Sequence, residues 1–185
     1  MANRKVYTQS VLSMKVPLLI TEVGKTVKQN LENAISKKIE GRCTAEGFIQ
    51  PGSVRVLSYS SGNINNDRVE FQTIYECMVC YPVEDMHLQC QTKTITKAGI
   101  HAEVMDDSGN MPITVFVARD HHFTDKMFAT IRENTSIKVS VIGVRFELND
   151  PYICVIAKLI DAGNEPAHVL ADKSRKPAIR ILDEP

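Results

Sequence analysis

The sequence has no surplus charge of either sign, no long apolar run and no even set of cysteines. Each absence removes a class of protein. Lysine plus arginine equals aspartate plus glutamate, for a formal net charge of zero. The balance is +3 over residues 1–81, −4 over 82–165 and +1 over 166–185. No part is a polycation, which argues against generic, phosphate-driven binding along a nucleic-acid backbone. Nothing approaches the roughly 18 consecutive apolar residues of a membrane span. The opening MANRKVYTQSVLSMKVPLLI is interrupted by Lys15 and by polar residues, unlike a secretory leader. Five cysteines cannot all pair, and four of them (Cys43, Cys77, Cys80, Cys90 and Cys154 being the five) lie in strand-like runs. They read as reduced, mostly buried thiols. The expectation is a soluble intracellular chain that makes no use of a membrane.

What is present is a single amphipathic helix and many alternating strands. In TEVGKTVKQNLENAISKKIEG, residues Val23, Val27, Leu31, Ala34 and Ile35 recur at helical spacing, with Lys25, Lys28, Asn30 and Glu32 facing away. Thr21 suits the N-cap, Lys37 and Lys38 suit the C-terminal turn, and Gly41 is a stop. A long strand, VYTQSVLSMKV, precedes the helix. Strands on either side of Pro51-Gly52 follow it, then a polar loop SSGNINND. RVEFQTIYECMVCYP alternates cleanly, with Val69, Phe71, Tyr75, Cys77 and Val79 on one face, and ends at Pro82.

Beyond Pro82 the pattern is five strands with one short helical stretch between the third and fourth. The inward sets are Met86, Leu88 and Cys90; then Ile100, Ala102 and Val104; then Ile113, Val115 and Val117; then Ile137, Val139 and Val141; YICVIAKL closes. That is the plan of an OB barrel. Lys97-Ala98-Gly99 is the tight connection between its first two strands, with Gly99 allowing backbone geometry that a larger residue resists. The fold expected is α+β: a strand–helix–strands unit over residues 1–81, a five-stranded S1-type OB β-barrel over 82–162, and a polar tail over 163–185.

Reaction chemistry finds little support. Cys77 and Cys80 form a lone CxxC, whereas zinc needs two further ligands and redox use wants a helix N-terminus. Three apart on a strand, the two thiols point to opposite faces. His121 and His122 lie near Asp120 and Asp125 without a nucleophile or third ligand in any recognisable motif. No GxxxxGK[ST] phosphate loop occurs. No catalytic residue, metal or cofactor is expected.

Taken together in order, several stretches resemble the stalk subunit family of multisubunit RNA polymerases, the seventh-subunit family of eukaryotic RNA polymerase II and the archaeal E subunit. TVKQNLENAISKKIEGRC is similar to that family's helix and Gly-x-Cys strand, and IYECMVCYPVEDM to the strand crossing between its two domains. TKTITKAGIHAEV and IKVSVIGVRFELNDPYICVIAKL are similar to the opening and closing strands of its S1 domain. GFIQPGSVRVLSYSSG and MPITVFVARDHH depart from the usual family text and resemble divergent homologues of large DNA viruses. The resemblance implies a non-catalytic subunit in the nucleus, the cytoplasm or a virion. The implied partners are the polymerase core, a small helical chain of the fourth-subunit type and single-stranded nascent RNA. It maps a core-docking tip loop onto Tyr59, Ser60, Ser61, Gly62, Asn63, Ile64, Asn65, Asn66 and Asp67. On the barrel, Lys93, Lys97, His101, Phe116, Arg119 and His121 are the candidates for RNA contact, an aromatic ring with flanking donors for phosphate. An S1-type RNA-binding adaptor of translation or RNA decay would share the barrel.

Overall fold

The computed structural model describes residues 6–122 and 126–166, with the backbone alone for Lys126 and residues 163–166. The chain order is β1 (Thr8–Leu19), α1 (Val27–Ile39), β2 (Cys43–Thr44), β3 (Gly47–Ile49), β4 (Arg55–Tyr59), β5 (Asn63–Asn65) and β6 (Arg68–Cys80). There follow β7 (His87–Ile95), β8 (Gly99–Val104), β9 (Ile113–Ala118), α2 (Lys126–Thr130), β10 (Thr135–Arg145) and β11 (Ile153–Pro166). Among the described residues no helix is long and apolar enough to cross a membrane.

The first sheet is organised by β6. It pairs antiparallel with β1 along one edge and with β3, β4 and β5 along the other. Its alternation buries Val69, Phe71, Tyr75, Cys77 and Val79 against Leu31, Ile35 and Ile39 of α1. The helix begins later than its apolar spacing predicts. Residues Ile20–Glu22 form a 3-10 turn in which the Glu22 carboxylate accepts the Leu19 amide. Asn30 donates its side-chain amide to the Glu22 carbonyl, Gly24 intervenes, and Thr26 rather than Thr21 is the N-cap residue. The helix ends as expected, with Gly41 at φ 70°, the left-handed geometry that stops helices. Glu32 does not face away. It accepts the Val56 amide at 3.1 Å, and Glu40, the C-cap residue, accepts the Val54 amide at 3.0 Å, so a carboxylate of α1 and one at its cap dock the start of β4.

The second sheet is a closed barrel of five strands in the order β10-β11-β9-β8-β7, with β7 pairing back onto β10. All neighbours are antiparallel except β9 and β11. This mixed five-stranded barrel, with a short helix between its third and fourth strands, has the OB arrangement. Ile100, Ala102, Ile113, Val115, Val117, Val139, Ile153 and Ala157 fill it and are fully buried. β11 continues to Pro166, into the stretch expected as tail; residues 167–185 lie outside the described residues.

The two sheets share a seam. Tyr7, Cys43, Phe48 and Cys80 belong to the barrel's hydrophobic cluster, not to that of the first sheet. Cys77 and Cys80 therefore point into different cores, as their three-residue spacing on a strand requires. Burial pushes the Cys77 thiol up to about 11 and the Cys80 thiol up to about 12, so both stay protonated packing groups. At the same seam Cys43 donates its amide to the Asp150 carbonyl and accepts the Asn149 amide, both at 2.8 Å. The Tyr7 hydroxyl donates to Asp106 at 3.0 Å.

Candidate nucleic-acid interface

OB barrels present ligands to the outer face of their second and third strands and to the loops joining strands one to two and four to five. Here those are β8 and β9, the turn at 96–98, and the loop at 146–152. Outward positions align in rows across the ladder. His101 on β8 stands opposite Phe116 on β9, which stands opposite Ile156 on β11, which stands opposite Gly143 on β10. The next row is Glu103, Thr114, Cys154 and Arg145.

Of the six residues expected to touch RNA, the structure brings His101 and Phe116 into contact. Their ring centroids are 4.8 Å apart, tilted by 46°. Lys93 reaches Glu103 in the adjoining row, Nζ to Oε2 3.2 Å. Arg119 closes the turn that carries Lys97: its amide donates to the Ala98 carbonyl and its guanidinium to the Thr96 carbonyl at 3.4 Å. The guanidinium also lies 5.3 Å over the Phe128 ring. His121 is exposed at the end of the 3-10 turn Arg119–His121.

Its neighbour His122 is the opposite case, only 5% exposed. Nε2 accepts the buried Leu159 amide at 2.9 Å, so the proton sits on Nδ1, which donates to the Ala118 carbonyl at 2.9 Å. The ring stacks on Phe128 at 5.1 Å. His122 is a structural histidine joining β9, α2 and β11. Asp125, grouped with it by sequence, lies outside the described residues.

Gly99 departs from its expected reason. Its φ is not in the left-handed range, and the constraint is space: a Cβ there would stand 2.4 Å from the Val117 carbonyl oxygen and 2.9 Å from the Phe116 ring. Glycine lets Phe116 lie against β8 beside His101.

Sequence reasoning missed the other half of this face. A groove of about 490 Å³ opens beside Phe116 and is lined also by Thr114, Gly143, Arg145, Tyr152, Cys154 and Ile156. The signal was present in YICVIAKL. The residues between its inward set are Tyr152, Cys154 and Ile156, an apolar outward row where a solvated strand carries polar groups.

At the far end of the first sheet, the segment expected as a loop is structured. Tyr59 ends β4, and Asn63–Asn65 pairs with β6 as β5, closing a hairpin through Asn66 at φ 56°. Asparagine tolerates that left-handed geometry, and the polar composition hid the strand. Ile64 is 75% exposed in β5; Leu19 and Ile20 at the end of β1 are exposed as well, and the Ile20 amide donates to the Asp67 carbonyl.

No family model matches the chain. A protein of Acanthamoeba polyphaga mimivirus, described provisionally as a DNA-directed RNA polymerase subunit, is 27% identical over 177 residues. The alignment covers 87% of this chain and 85% of that protein. A match of that extent necessarily takes in both sheets.

Proposed function

We propose that this chain is a non-catalytic subunit of the stalk of a multisubunit DNA-directed RNA polymerase. The observation that carries the reading is the likeness to the mimivirus polymerase subunit across both sheets. The unit built on β6 serves as the docking domain, together with a small helical partner, and the barrel contacts nascent single-stranded RNA. Ile64, 75% exposed in β5, and Leu19 and Ile20, exposed at the end of β1, leave aliphatic side chains at this end of the first sheet, which fits docking on a protein. The His101–Phe116 pair, with Lys93, Lys97 and Arg119 around it, fits RNA contact on the face OB barrels use for oligonucleotides. With a balance of −4 over residues 82–165, that contact is local and modest in affinity. The chain acts inside the cell that transcribes with this polymerase, or in a virion that packages it.

The test is gentle purification of the N-terminally tagged chain from its native expression setting. The expected companions are the two largest polymerase subunits and a small helical chain. Recovery of ribosomal or RNA-decay proteins instead would overturn the stalk reading in favour of an S1-type adaptor. Phe116→Ala with Lys97→Ala is expected to weaken binding of single-stranded RNA at low salt. Unchanged affinity in the folded double variant would remove those residues from the interface.

A further inference from the structure

We propose that the groove between β9 and the β10–β11 pair holds one unpaired base of single-stranded RNA. It is a subsite distinct from the basic turn at Lys97, and it rests on the RNA-contact reading above. Four observations meet there. The size, about 490 Å³, falls within the roughly 300–1,000 Å³ of small-molecule sites and accommodates a base with its ribose. The surface is apolar where barrel exteriors are polar: Ile156 is 49% exposed and Tyr152 42%, beside half-buried Phe116. Such rings and branched carbons match a π-face, which every base has, and this makes the site tolerant of sequence.

The rim is basic where a phosphate would lie. Arg145 borders the groove, with a side chain 85% exposed and an exposed Glu147 carboxylate 3.5 Å from its guanidinium. Lys158 follows Ile156 on the same outward face of β11. The floor is open, since a Cβ on Gly143 would meet nothing within 4 Å among the described residues. Charge complementarity of that rim favours RNA over an apolar peptide. Placement against the loop between the fourth and fifth barrel strands favours it too.

The protein carries its own reporter. Of its five cysteines, Cys43, Cys77, Cys80 and Cys90 are buried and Cys154 is exposed, in the groove. The experiment measures the rate of Cys154 alkylation by N-ethylmaleimide on the full chain. A short mixed-sequence single-stranded oligoribonucleotide is titrated in, and its binding is followed independently by anisotropy. At an RNA concentration ten times Kd, occupancy of the groove slows alkylation about tenfold, following the factor 1 + [L]/Kd. Gly143→Leu, which fills the groove without touching the barrel interior, is expected to weaken RNA binding about tenfold, the loss of one stacked base. Its thermal unfolding should be unchanged.

If RNA binds while Cys154 reacts at its free rate, the groove is not the base site, and RNA contact elsewhere on the barrel stands. Absence of RNA binding by the wild-type chain overturns the RNA reading and this proposal together. Equal protection by double-stranded RNA would mean that shape and phosphates are read, which overturns a base site. Protection by polymerase subunits and not by RNA would assign the groove to a protein partner instead. Should Gly143→Leu fail to fold, the wild-type alkylation series decides alone.

Discussion

Replacing Gly99 by alanine tests why Phe116 can lie where it does. The added Cβ would sit 2.4 Å from the Val117 carbonyl oxygen, where ordinary contact begins at 3.4 Å. That oxygen belongs to the main chain of β9, and Gly99 and Ile100 pair with Ala118 and Val117 in the same ladder. The obstruction therefore cannot rotate away. Either the end of the β8–β9 ladder opens or the strands part locally. The Phe116 ring, 2.9 Å from the same position, must also leave its place beside His101. Overpacking of this kind costs about 1–3 kcal/mol. Against it stands a gain of about 0.4–1 kcal/mol from the stiffer unfolded chain, which applies where the backbone angles suit alanine. The balance is a loss of about 1–2 kcal/mol, or a fall in Tm of roughly 2–8 °C for a chain of this size. Urea and thermal unfolding read the loss directly. Gly143→Ala is the control, since its Cβ meets nothing within 4 Å among the described residues and only the entropic gain applies. Equal stability of the two variants would refute the close-approach explanation.

Four other substitutions separate packing from chemistry. The Thr73 hydroxyl is fully buried in β6 and has no hydrogen-bond partner among the described residues, so Thr73→Val should raise stability by about 1 kcal/mol in urea titrations; a loss would mean that the hydroxyl is satisfied in solution. His122→Ala should cost about 3 kcal/mol, because it leaves the buried Leu159 amide unpaired as well as a cavity. The adjacent His121→Ala should stay within about 0.5 kcal/mol as an exposed change; similar effects at the two positions would contradict the assignment of roles. Burial alone would push the Asp106 carboxyl up. Hydrogen bonds from the Asn110 side chain and amide, the Tyr7 hydroxyl and the Ser108 amide outweigh burial and hold it below its ordinary range. Its contribution is present above the unfolded-state value and lost as pH falls through the lower folded value. The stability gap between wild type and Asp106→Asn should therefore close on acidification below about pH 4; a gap that widens there would contradict the shift.

Where the sequence was legible, one physical rule sufficed. A strand buried on one face alternates with period two, so the inward sets of β6 to β10 could be read residue by residue, and all but the half-buried Met86 sit in the cores. The helix could be found from its period but not its start, because Glu22 and Asn30 side chains divert the backbone before Thr26. β5 was illegible for a different reason. Asn63, Ile64 and Asn65 are exposed throughout, so no buried face imposed an alternation. The candidate RNA face was half legible. His101 and Phe116 stand out as aromatic rings at outward positions near basic residues. Tyr152 and Ile156 join them only because β11 crosses the barrel to lie parallel to β9, a pairing that local pattern does not encode.

The groove and the seam share one piece of backbone, which ties the two halves of the proposed function together. Arg145 ends β10 on one side of the groove, and Tyr152 precedes β11 on another. Between them, Phe146 packs edge-on against Tyr81, at the junction of the two sheets, with centroids 5.8 Å apart. Asn149 takes φ 70°, and Asn149 and Asp150 hydrogen-bond through their main chains to Cys43 of the first sheet. The loop can shift relative to the barrel only if these bonds break or if the β2–β3 hairpin moves with it. Displacement of the β2–β3 hairpin would therefore be felt by the loop between Arg145 and Tyr152 through main-chain hydrogen bonds. Those bonds are stiffer than side-chain contacts because neither partner has a rotamer through which to yield.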